Sequence, residues 1–335
     1  MYTTDQQLQA INRHLATLTD GRSPRGLYDP VSYVLSLGGK RIRPMLMLLA
    51  YGLWRDDPDS IMPQACGIEV YHNYTLLHDD LMDHADRRRG HPTVHRRWDA
   101  NTAILSGDSM LVMAYELMMK HPETSGETPN GAMSEALHLF TRTALEIGEG
   151  QQYDMDFERR DDVTEEEYIE MIRLKTGVLL ACALKMGALL AGASPADADA
   201  LYTFGEKVGL AFQLQDDYLD VYGDPAVFGK NIGGDILSNK KTYMLINALN
   251  RAEGATLDEL RRWIDTDGTH DTSAAAAKIA GVTAIYDRLG IDRLATDKIA
   301  FYFDESRRYL SAVALPEERK AALAAYTDTM VQRRR

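Results

Sequence analysis

Apolar residues recur at intervals of three and four along almost the whole chain, and that spacing restricts it to helices. RPMLMLLAYGLW (43–54), ACGIEVYHNYTLLHDDLMDHA (65–85) and TGVLLACALKMGALLAG (176–192) follow this pattern or are apolar all round. No stretch alternates as a half-buried strand would. Breakers mark the joints at Asp57-Pro58 and within 121–131, 192–195, 223–234 and 265–273. None is long or biased enough to separate domains. The expectation is a single all-α domain over residues 1–335, with roughly ten or more helices at ordinary helix lengths. Helices that are apolar on more than one face imply a central layer wrapped by others.

Composition narrows what such a bundle can do. No run approaches the ~18 consecutive apolar residues of a membrane span, and the N-terminal MYTTDQQLQAINRHLATLTD lacks the basic-then-apolar order of a secretory signal. Cys66 and Cys182, the only cysteines, are far apart, so no disulfide scaffold is expected and the chain reads as cytoplasmic. A net charge of -13 argues against a nucleic-acid partner. An acidic protein binds anionic substrates only where metal ions invert the local sign or where basic residues cluster.

Both devices are present. An Asp-Asp-x-x-Asp motif falls at Asp79, Asp80 and Asp83, and another at Asp216, Asp217 and Asp220, each at the C-terminal end of an apolar helical run. Residues four apart on a helix differ by about 40° in direction, so Asp79 and Asp83 share a face, as do Asp216 and Asp220. Like charges at that spacing repel, and carboxylates at a helix C-terminus oppose its dipole. The same two local rules are broken twice, which points to function. Hard-cation binding is the chemistry that wants this pattern, since magnesium takes a few carboxylates together with substrate phosphates. A solvated acidic surface explains one such triplet as well, but explains two poorly.

Basic residues stand beside the acidic ones. Gly38-Gly39-Lys40-Arg41-Ile42-Arg43-Pro44 precedes a helix, with Pro44 expected at its first position. Arg87, Arg88 and Arg89 follow the first motif, Lys175 precedes Thr176-Gly177, and Lys230, Lys240 and Lys241 follow the second motif. Arginine suits bidentate phosphate contacts and lysine acts as a compact charge.

GGKRIRP, LLHDDLMDHADRRRG, GQQYD (150–154), LKTG and FQLQDDYLDVYGDPAVFGK with GGDI and NKKT resemble, in order, the signatures of trans-isoprenyl diphosphate synthases of short-chain type. The resemblance implies an all-α isoprenoid-synthase helical bundle around a deep central cavity, working as a homodimer with magnesium, typically three ions. It implies head-to-tail condensation of isopentenyl diphosphate with an allylic diphosphate and release of pyrophosphate. Carried over by position, Asp79, Asp80 and Asp83 bind magnesium on the allylic diphosphate, and Asp216 and Asp217 hold a further ion, with Asp220 more remote. Arg88, Lys175, Lys230 and Lys240 match the allylic-diphosphate cations. Lys40, Arg43, His72 and Arg89 match a separate, metal-free pocket for isopentenyl diphosphate. Thr176, Gln213 and Tyr218 are candidates to steady an allylic cation, Phe212 shapes the pocket, and Gln151 and Asp154 lie near the metals.

Product length in the resembled family follows residues upstream of the first motif. Tyr74 and Thr75 stand five and four positions before Asp79, with Tyr71 deeper. An aromatic at the fifth position with a small fourth residue and no insertion resembles twenty-carbon synthases, with fifteen carbons the near alternative. A terpene cyclase shares the fold but has a different second motif. A non-catalytic partner subunit usually loses part of one motif, and both motifs are complete here.

Overall fold

The computed structural model describes residues 3–122, 131–224, 232–267 and 272–331. Its helices are α1 (Thr4–Thr17), α2 (Arg25–Ser36), α3 (Ile42–Tyr51), α4 (Met62–Met82), α5 (Val94–Arg97), α6 (Ala100–Met118), α7 (Ala132–Phe157), α8 (Glu165–Ile172) and α9 (Val178–Ala191). They continue as α10 (Pro195–Tyr222), α11 (Gly234–Leu237), α12 (Tyr243–Arg251), α13 (Gly254–Ile264), α14 (Thr272–Leu289), α15 (Ile291–Ala312) and α16 (Glu317–Val331). One turn of π-helix, Arg173–Gly177, joins α8 to α9. The all-α expectation holds, with one exception among the described residues. Arg87–Arg88 and His91–Pro92 form an antiparallel hairpin, whose two-residue strands are too short to leave an alternating pattern. Its turn residues Arg89 and Gly90 have φ of 52° and 80°, as a type I′ turn requires.

The chain divides into two compact units, 1–140 with 182–201 and 315–323, and 141–181 with 202–314 and 324–335. In the first, α4 is buried on nearly every side because its residues from Ala65 to Tyr71 are all buried. Gly67 lets α6 come close, since a Cβ there would stand 3.1 Å from the Ala114 carbonyl oxygen. In α3, every residue from Pro44 to Tyr51 is buried. Pro44 occupies the third helical position rather than the expected first, because the left-handed Arg41 (φ 48°) is the residue that starts the helix. Cys66 and Cys182 are both buried.

In the second unit Tyr168, Met171, Leu214, Tyr218, Ile246 and Tyr286 belong to one apolar core. Capping fixes its helix starts: Thr164 and Glu167 form a capping box on α8, and Thr242 caps α12. Lys278, 1% exposed, donates its Nζ to the Thr266 carbonyl (2.9 Å) beyond α13, where a cation offsets the helix dipole. The run Glu165–Ala191 is long and apolar enough to cross a membrane, and 83% of its apolar window is buried inside the protein.

Candidate active site

The first aspartate motif closes α4. Asp79 and Asp80 lie in its last turn and Asp83 is its C-cap, with the Asp83 amide donating to the Asp79 carbonyl at 2.9 Å. The hairpin brings Arg88 back onto this turn. Its Nη2 lies 2.6 Å from Asp80 Oδ1 and 3.9 Å from Asp79 Oδ2, and its Nε donates to both Asp80 oxygens at 2.9 and 2.8 Å. Burial raises the Asp80 carboxyl above its usual range and Asp79 adds to this, while Arg88 opposes it. Arg88, matched in sequence to a substrate diphosphate, here binds a carboxylate of the first motif.

A separate cationic cluster is built from the loop before α3, the middle of α4 and the tip of the hairpin. Desolvation, then Arg43, Arg89, Arg88 and Arg41, hold the His72 imidazole well below its ordinary value. His72 is therefore a neutral ring among guanidinium groups near neutral pH. Desolvation also lowers Arg89, with Arg41 and Arg88 acting in the same sense. Arg89 donates to the Gly38 carbonyl. Its guanidinium carbon lies 2.8 Å from where a Cβ on Gly39 would sit, so a side chain at this position would have to push the guanidinium aside. Such crowding of like charges suits an anion. Lys40 is exposed at the edge of the loop and Arg43 is half-buried.

Sequence reasoning missed what holds this loop. Arg41 and Glu69 form an ion pair of 2.8 Å with both side chains 2% exposed. Arg41 also donates to Asn12 (3.0 Å) and to the Leu35 carbonyl (2.6 Å), and Asn73 donates to Glu69 (3.0 Å). Arg41 is a scaffold residue, whereas its motif neighbours Lys40 and Arg43 are the candidates for ligand binding. Nothing in the residue types separates the one lysine and two arginines of that motif.

The second motif lies in the last turns of α10. Asp217 is 5% exposed and accepts hydrogen bonds from Tyr168 and from Gln213 (3.0 Å). Burial and the neighbouring Asp235 carboxylate push its pKa up to about 7, with Tyr168, Lys240 and Gln213 opposing. Asp220 accepts the Asp235 amide (2.9 Å) and so anchors the segment that follows. Asp216 is half-buried. Lys175 pairs with Asp154 at 2.6 Å. Burial raises the Asp154 carboxyl, but Lys240 and Lys175 outweigh it and leave it below the usual range. Thr176 donates to Gln213 at 3.0 Å. Thr176, Gln213, Asp217 and Tyr168 thus form one hydrogen-bonded chain. Tyr168 and Asp235 were missed, and only the GGDI run that contains Asp235 could have signalled either. Tyr218 is 5% exposed in the apolar core, with its ring 5.0 Å from Tyr222. Lys230 lies outside the described residues.

On α4, Tyr71 is 3% exposed, and Tyr74 and Thr75 are half-buried. The Tyr71 ring lies 5.4 Å from Tyr74 and 5.1 Å edge-on to Phe140, which lies 5.0 Å from Tyr115. Phe140 and Tyr115 extend this aromatic layer to α7 and α6, and their distance in sequence hid them.

Among the described residues no three Asp, Glu, His or Cys side chains converge on one point as a closed protein cage for a metal ion would need. Oxygen-only pairs of carboxylates suit a cation that takes its remaining ligands from water and phosphate. Asp217, its carboxyl raised by burial and by the neighbouring Asp235, has the charge imbalance that a hard cation corrects.

Residues 24–280, which include both aspartate motifs, match the family model described as polyprenyl synthetase. The chain belongs to the polyprenyl synthetase family. Within it, the chain is 38% identical over 313 residues to a short chain isoprenyl diphosphate synthase of Methanothermobacter thermautotrophicus, covering 93% of this chain and 91% of that one. A crystal structure of a geranylgeranyl pyrophosphate synthase superposes with a TM-score of 0.92 at 40% identity and covers 100% of both chains. The geranylgeranyl pyrophosphate synthase of Corynebacterium glutamicum, solved with isoprenyl diphosphate and magnesium, gives 0.87 at 27% identity, covering 99% of this chain and 100% of that one. The fold is the all-α isoprenoid-synthase fold, and the expectation of a short-chain prenyltransferase holds.

Proposed function

We propose that the protein condenses isopentenyl diphosphate head to tail with allylic diphosphates, releasing pyrophosphate, with geranylgeranyl diphosphate as the product and farnesyl diphosphate as the near alternative. Beyond family membership, one observation carries this reading. The chain keeps two carboxylate motifs at helix C-termini and, apart from them, an arginine cluster around a neutral histidine. A chain elongator needs two anion sites of different kind, one with metal and one without. A cyclase needs one, and a non-catalytic partner subunit needs neither motif intact.

Asp79, Asp80, Asp83, Asp216 and Asp217 are the residues that would hold magnesium, up to three ions, with Asp220 more remote. Bound magnesium supplies Lewis-acid stabilisation of the leaving diphosphate. Arg88, Lys175, Lys230 and Lys240 add fixed positive charge for the allylic diphosphate. Lys40, Arg43, His72 and Arg89 hold the isopentenyl diphosphate by charge-assisted hydrogen bonds. The Thr176 and Gln213 oxygens present dipoles to the allylic cation as it forms. The double bond of isopentenyl diphosphate then attacks, and the proton lost passes to the released pyrophosphate.

Tyr74 closes the path of the growing chain about 7.5 Å along α4 from Asp79, at ~1.5 Å per residue, with Tyr71 and Phe140 behind it. The whole chain works as a single domain in the cytoplasm. It works as a homodimer, supported by the apolar residues that α6 leaves exposed, Ile104, Leu105 and Val112. The test is direct: purified protein, isopentenyl diphosphate, each allylic primer in turn, and chromatography of the dephosphorylated products. Twenty-carbon alcohol from every primer is expected. Failure to extend any primer with magnesium present would overturn the reading.

A further inference from the structure

Lys175 and Thr176 stand on the π turn Arg173–Gly177 between α8 and α9. A π turn is rare within α-helical runs, so its persistence needs a cause. Two neighbouring helices press on its backbone. On α7, a Cβ built on Gly150 would lie 2.5 Å from the Lys175 backbone nitrogen and 2.9 Å from the Leu174 carbonyl carbon. On α10, a Cβ on Gly209 would lie 2.6 Å from the Gly177 Cα. Both collisions are with backbone, which cannot swing aside as a side chain can. No residue but glycine fits at either place.

Each glycine is followed one turn later, on the same helix face, by a polar side chain that grips the π turn. Asp154, four residues after Gly150, binds Lys175 Nζ at 2.6 Å. Gln213, four residues after Gly209, accepts from Thr176 Oγ1 at 3.0 Å and passes the connection on to Asp217 at 3.0 Å. The two helices use one device on either side of the same turn: a glycine for backbone approach, then a polar residue for engagement.

We propose that Gly150 and Gly209 are positioning residues that clasp the π turn and so set where the Lys175 ammonium and the Thr176 hydroxyl are presented to the allylic diphosphate. This rests on the reading that those two groups serve the allylic substrate. Gly150→Ala and Gly209→Ala are each expected to raise the KM for the allylic diphosphate at least five-fold and to lower kcat at least ten-fold. The KM for isopentenyl diphosphate should stay within two-fold. Gly148→Ala, on the same helix with nothing within 4 Å of its added Cβ, is the control and should match the wild type. Equal changes in both KM values, or activity loss that only follows the unfolded fraction seen by circular dichroism, would overturn the proposal. Where either alanine variant does not fold, Asp154→Ala and Gln213→Ala remove the grip and leave the close approach. The same split between the two KM values is expected of them, and its absence overturns the proposal too. A wild-type protein with no prenyl transfer would defeat the functional reading instead. A crystal structure of Gly209→Ala would then still report on the clasp, which predicts loss of the Thr176–Gln213 bond.

Discussion

His72 shows what a single side chain in this protein has to tolerate. Its pKa is depressed first by desolvation and then by the arginines around it, so the native ring resists protonation. The unfolded ring takes up a proton near its ordinary value of about 6.5. Below that pH the unfolded state therefore binds the extra proton, and stability from this residue falls as pH falls. His72→Gln is expected to narrow the loss of Tm between pH 8 and pH 5.5, as read by thermal melts. A variant with the same pH slope as the wild type would show that the imidazole is not held neutral. For the aspartates, Asp79→Ala, Asp80→Ala and Asp216→Ala should each lose ~100-fold or more in turnover, the scale seen when one transition-state charge contact is removed. Asp220→Ala should be milder in turnover. It should also cost about 1 kcal/mol of stability, since the Asp235 amide loses its acceptor; denaturant melts read that number. The aspartates were legible in sequence because they break local rules for helices. Glu69, Tyr168 and Asp235 break none, and the partners Arg41, Asp217 and Asp220 that fix them lie 15 or more positions away.

At the scale of elements, the anion cluster depends on how one loop fits under one hairpin. Gly39 has φ of 129°, a backbone region that residues with a Cβ seldom enter, and Arg89 fills the space beside it. Gly39→Ala should therefore displace the Arg89 guanidinium and raise the KM for isopentenyl diphosphate as Arg89→Ala or Lys40→Ala does, leaving the allylic KM little changed. Steady-state kinetics with each substrate varied in turn will show the difference, and equal effects on both would refute the assignment of pockets. Helix existence was readable from periodicity, because burial on several faces imposes it. The hairpin and the π turn were not. Each spans few residues, and each is fixed by groups that pack against it rather than by its own composition. The first position of α3 was misread for a related reason: Pro44 fits a helix start by type, but the left-handed Arg41 decides where the turn begins.

For the molecule as a whole, activity should vanish with excess chelator and return with magnesium, and turnover that persists in chelator would end the metal-assisted reading. Tyr74→Ala should lengthen the product distribution and Thr75→Phe should shorten it, both read by chromatography of the dephosphorylated alcohols. An unchanged distribution in an active Tyr74→Ala variant would move the stop elsewhere, with Tyr71 and Phe140 next in line. The buried cysteines give the intact protein one more property. Cys66 and Cys182 are 1% and 0% exposed, and burial followed by Glu69 pushes the Cys66 thiol up to about 12. A thiolate at Cys66 is thus both scarce and walled off, and a chromogenic disulfide reagent at pH 8 can reach it only through a transient opening of α4. The denatured chain should give two equivalents at once, and the native chain a slow release of colour. The rate of that release times how often the helices around α4 come apart, and the protein carries this clock without any engineered label.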